Sequence, residues 1–75
     1  MHQFHITIGS FRQVQEFVKL AMVQPFDVLV GNEKHQVSGK NFIGMFSLDL
    51  KRPVRVLVNC SNEEFLRFQQ EAAKI

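Results

Sequence analysis

Phe4, Ile6 and Ile8 alternate with His5 and Thr7, the two-residue period of a strand with one buried face. From Phe11 the spacing lengthens to three and four: Phe11, Val14, Val18 and Ala21, with Phe17 on the flank, form the stripe of an amphipathic helix. Ser10 and Gln13 make an S-x-x-Q capping box at its start. Pro25 ends it, since proline has no amide hydrogen and biases its predecessor toward extended backbone. Alternation returns at Phe26, Val28 and Val30, and Gly31-Asn32 reads as a turn into a more polar strand over 33–37. Between Lys40 and Phe46, the residues Phe42, Ile43, Met45 and Phe46 fit one or two helical turns, kept short by Gly44. Leu48 and Leu50 follow, Lys51-Arg52-Pro53 turns the chain, and Val54, Val56 and Val58 mark the clearest strand. Ser61 with Glu64 is a second capping box, opening a helix that carries Phe65, Phe68, Ala72 and Ile75.

The predicted order is strand, helix, strand, strand, short helix, strand, helix. Four half-buried strands need one covering layer, and three helices supply it, so the fold class is α+β: a two-layer sandwich with an antiparallel sheet. The other sheet face is then wet, which suits His5, Thr7, Asp27 and Arg55. With 75 residues there is room for a single domain, 1–75. A hydrophobic fraction of 45% against 21% charged residues excludes a disordered tail or a collagen.

Charge changes the picture by what it excludes. Nine basic and seven acidic residues are interspersed along the chain, so no basic strip with interleaved aromatics marks a nucleic-acid interface. A lone cysteine, Cys60, permits neither an internal disulfide nor a thiolate-pair zinc site. The stretch Met1-His2-Gln3-Phe4-His5 has no basic region leading into an apolar run, so no secretory leader is expected, and no segment suits a membrane span. A cytoplasmic protein without a cofactor is the expectation.

The segment Val37-Ser38-Gly39-Lys40-Asn41-Phe42-Ile43-Gly44-Met45-Phe46-Ser47-Leu48 resembles the region around the regulatory serine of HPr, the small phosphocarrier of the phosphoenolpyruvate-dependent sugar phosphotransferase system. The likeness continues through Phe17-Val18-Lys19, the hairpin and the last strand and helix, and so covers nearly the whole chain. It implies that family's open-faced βαββαβα sandwich. Aligned on Phe17-Val18, the family's phosphorylated histidine falls on Ser10. Of the motif His-Ala-Arg-Pro, only the arginine is retained, as Arg12, and Gln13 replaces the proline. A ring nitrogen yields a labile N–P bond, whereas a serine hydroxyl yields an ester too stable to pass its phosphoryl group on. The regulatory serine falls on Asn41, which has no hydroxyl. In relatives, the apolar residues matching Phe42, Ile43 and Phe46 dock protein partners. The resemblance therefore implies a non-enzymatic, HPr-like binding or regulatory module that does not transfer phosphate. Its partner would be a protein, a phosphotransferase component or a regulator. Phe42, Ile43 and Phe46, with Lys40, Arg12 and Lys51 at the margin, would suit an acidic partner surface.

Each candidate also has a plainer reading. Ser10 is a helix cap with no histidine and acid placed to activate it, and with Arg12 it is a candidate anion site beside free helix amides. Phe42 or Phe46 could pack inward. His2, His5 and His35 carry no spacing that defines a metal site, and Cys60 reads as an apolar filler. Ser38 and Ser47 lie near Asn41, but the resemblance assigns phosphorylation to neither. Two rival functions stay open: a working phosphocarrier with an unorthodox acceptor, and an unrelated α+β domain that binds a small ligand in a closed apolar pocket.

Overall fold

A computed structural model describes all 75 residues. The elements run β1 (His2–Ile6), α1 (Phe11–Met22), β2 (Val28–Gly31), β3 (Gln36–Ser38), α2 (Phe42–Met45), β4 (Val54–Val58) and α3 (Asn62–Ala72). The four strands form one antiparallel sheet in the order β1-β4-β2-β3, and all three helices cover the same face. This is the α+β architecture that the alternating and helical periods predict.

Valine alternation sets the sheet's register. Val54, Val56 and Val58 of β4 face the helices, opposite Phe4 of β1 and Val28 and Val30 of β2. Against them pack Val14, Phe17, Val18 and Ala21 of α1, Met45 of α2, and Phe68 and Ala72 of α3. Phe68 is the hub, with ring centroids 5.9 Å from Phe4, 6.1 Å from Phe17 and 5.8 Å from Phe26.

Local chemistry fixes the helix ends. Ser10 Oγ accepts the Gln13 amide at 3.1 Å, while Gln13 Oε1 reaches back past the cap to accept the Gly9 amide at 2.9 Å. Ser61 and Glu64 complete a reciprocal box before α3. Asn41 caps α2 by accepting the Gly44 amide on Oδ1 at 3.1 Å.

Several boundaries differ from the sequence expectation. Strand β1 spans His2–Ile6, and Ile8 enters the core from the loop that follows. The second strand of the hairpin begins only at Gln36, because Asn32 Oδ1 captures the amides of Lys34 and His35 and curls the chain before it can pair. Helix α2 is one turn, Phe42–Met45. The largest correction concerns α1: Phe17 is fully buried, whereas Phe11, predicted on the core stripe, is 62% exposed. Its position at the first helical residue carries its ring away from the core and onto α2.

Candidate functional site

Phe11 is what turns the α2 residues into a surface. Its ring stacks on Phe46, with centroids 5.8 Å apart and planes at 24°, and meets Phe42 edge-on at 5.5 Å. Phe42 and Phe46 meet edge-on at 5.2 Å, closing a triangle of three rings. Such edge-to-face and offset contacts suit the aromatic quadrupole. Phe42 is partly buried against the core and anchors the group, Phe46 is 43% exposed, and Ile43 beside them is 76% exposed. The α2 segment thus faces both ways: Met45 turns fully inward while Ile43 and Phe46 turn out.

Sequence periodicity missed Phe11 because a three-residue step to Val14 reads as one continuous stripe. The available signal was its place immediately after the Ser10 cap. There, at the end of the helix, a side chain lies beyond the sheet that covers its neighbours.

The cations expected at the margin are dispersed. Arg12 lines an open groove of about 590 Å³ between α1 and α3, together with Glu16, Lys19, Glu71 and Lys74. Lys40 Nζ donates to the Gln24 carbonyl at 3.0 Å, just beyond the end of α1. Lys51 is exposed on the loop before β4. No acidic residue occupies the first turn of α1 or α2. The groove is open and six of its eight lining residues are polar or charged, where a small-ligand-binding reading calls for a closed apolar pocket.

At the start of α1, the hydroxyl of Ser10 and the amide of Gln13 are engaged with each other, while the Phe11 and Arg12 amides have no intramolecular acceptor. No imidazole takes part in the hydrogen bonding there. His2 stacks on Phe65 with centroids 4.5 Å apart. His5 lies on the open sheet face. His35 Nε2 is 2.9 Å from Ser47 Oγ, and because that hydroxyl donates to the Gly44 carbonyl at 2.6 Å, the imidazole is the donor. Ser47 is therefore not activated by His35 as a base. Cys60 is similarly passive: burial first, and the Glu64 charge second, push its thiol pKa up, against a smaller opposing effect of the terminal ammonium. No group of three or more His, Cys, Asp or Glu residues is placed to hold a metal ion. No helix is long and apolar enough to cross a membrane.

Fold and element order together define an open-faced βαββαβα sandwich of the HPr phosphocarrier type. Two solved structures make the comparison concrete. HPr-C-His from Thermoanaerobacter tengcongensis superposes with a TM-score of 0.78 at 20% identity, over 99% of this chain and 89% of that one. The phosphocarrier protein HPr from Bacillus anthracis str. Ames gives 0.71 at 16% identity, over 93% and 94%. At these identities the likeness is one of fold. No protein-family model and no curated protein sequence matches the chain.

Proposed function

We propose that this chain is an HPr-like protein of the sugar phosphotransferase system that binds a protein partner and does not carry phosphate. The observation that supports it most is the apolar platform of Phe11, Phe42, Ile43 and Phe46 beside a helix start capped by the Ser10 hydroxyl, the position where the resemblance expects an imidazole. Partner docking needs only shape, apolar area and a compatible margin. Phosphoryl transfer needs in addition a group that accepts phosphate and releases it again, and Ser10 is committed as a cap. The partner is a cytoplasmic component or regulator of that system, held chiefly through the apolar platform, since the cations Lys40, Arg12 and Lys51 are dispersed around it. Asn41, in place of the regulatory serine, keeps the α2 cap without offering a phosphorylation site.

The rival reading, a carrier with an unorthodox acceptor, draws on the two free amides at Phe11 and Arg12. Incubation with phosphoenolpyruvate and the system's first enzyme, followed by intact-mass measurement, separates the two. The binding reading expects no acid-labile phosphate, together with capture of a system component that Phe46→Asp abolishes while the fold is retained. A gain of one acid-labile phosphate overturns it, and unchanged capture by Phe46→Asp moves the interface elsewhere.

A further inference from the structure

The open face of the sheet carries a polar constellation that the docking surface does not use. Antiparallel register aligns His5 of β1, Arg55 of β4, Gly31 of β2 and Gln36 of β3 in one row across that face. Gly31 leaves the place beside Arg55 without a side chain. No other residue fits there, because φ is 153° and an added Cβ would run into the His35 carbonyl oxygen. Beside this row lies a hollow of about 170 Å³, lined by His5, Gly31, Asn32, Glu33, Pro53 and Arg55.

Arg55 is the anomaly in it. Its Nε is shielded from solvent and has no hydrogen-bond partner, and the guanidinium forms no ion pair with Glu33 or any other carboxylate. A guanidinium nitrogen shielded in this way has given up hydration without recovering it in a protein contact, while the rest of the half-buried side chain stays open to solvent. The planar guanidinium fork matches two oxygens of a carboxylate or phosphate. Asn32 adds to the match, since its Oδ1 already accepts the Lys34 and His35 amides and its amide nitrogen remains a donor. The volume equals that of several waters at about 30 Å³ each, enough for one tetrahedral or planar oxyanion.

We propose that this hollow is a binding site for a small oxyanion, a phosphate or a carboxylate group, gripped by Arg55 with His5 and Asn32 beside it. The site lies on the sheet face opposite the helices and is independent of the docking role proposed above.

The test is a titration of the ¹⁵N-labelled full chain with inorganic phosphate and, separately, with acetate, each at constant ionic strength against chloride. Saturable shifts at Arg55 Nε–Hε and the Gly31 and Asn32 amides are expected, strongest for the anion the site prefers. Arg55→Gln abolishes them with the remaining spectrum unchanged, and Arg55→Lys weakens them by replacing a fork with a point charge. Glu33→Gln tightens binding about threefold, as for unit charges roughly 6 Å apart at the dielectric constant of water. Shifts that do not saturate with either anion, that match those from chloride, or that persist in Arg55→Gln overturn the proposal and leave the hollow simply hydrated.

Discussion

If the three rings form an ordered platform, Phe11 and Phe46 must stabilise one another in the free protein, and a double-mutant cycle measures by how much. Phe11 is 62% exposed, so 38% of it is covered. Taking about 200 Å² for a fully buried phenylalanine, that is roughly 75 Å², or about 2 kcal/mol at 25 cal/mol per Å², an upper figure because the unfolded chain already covers part of it. Phe11→Ala should therefore cost about 1–2 kcal/mol. Unfolding entropy near 2.1 cal/mol/K per residue gives about 0.16 kcal/mol/K for a chain of this size, so the melting temperature should fall by roughly 6–12 °C. The stacked pair itself, at 5.8 Å and 24°, should appear as a coupling of about 0.5–1 kcal/mol between Phe11→Ala and Phe46→Ala. Urea denaturation of the wild type, both single variants and the double variant yields that coupling. A value under about 0.3 kcal/mol, the scatter of independent sites, would mean that the rings do not stack in solution, and the platform would lose its basis.

Two further outcomes probe the scaffold. Phe68→Ala removes the hub ring of the core, 1% exposed, and should cost about 3–5 kcal/mol; at 0.05–0.15 kcal/mol per residue that is a large share of the whole stability, and the midpoint in urea should collapse. Ser61→Ala removes the α3 cap and should cost about 1 kcal/mol at neutral pH by thermal unfolding. The hydrogen bonds from the Ser61 backbone and then its side chain hold the Glu64 carboxyl below its ordinary pKa. The folded pKa is thus the lower one, so that contribution is complete above the unfolded value near 4.3 and fades as pH falls through the lowered value. The gap between wild type and Ser61→Ala should therefore narrow in acid, and a gap that widens below about pH 4 would contradict the cap.

Elements with strong periods and explicit caps were legible in the chain. Val54, Val56 and Val58 turn inward as their alternation predicts, and Ser10 and Ser61 cap the helices they precede. What the sequence could not carry was contact between distant segments. Phe11 follows the helical period and escapes it only because α2, some thirty residues later, lies against the start of its helix. The row His5, Arg55, Gly31 depends on a pairing register that no local pattern encodes. The late start of β3 turned on one side chain, Asn32, taking two amides that a ladder would otherwise have used. For the apolar platform proposed to dock a partner, the resemblance supplied Phe42, Ile43 and Phe46, and only tertiary structure added Phe11.

The strand order has a consequence for how the molecule is made. Within β1-β4-β2-β3, only the short β2–β3 hairpin joins strands that are consecutive in the chain; β1 and β2 both find their partner in β4. Until Val54–Val58 has left the ribosome, the first strand has nothing to pair with and the hairpin has no second neighbour. A nascent chain shorter than that can hold a helix and a small ribbon but no sheet, and the loop joining β1 to β4 must close in one step once both are present. Formation of the sheet thereby waits for Val54–Val58 and arrives as a single event.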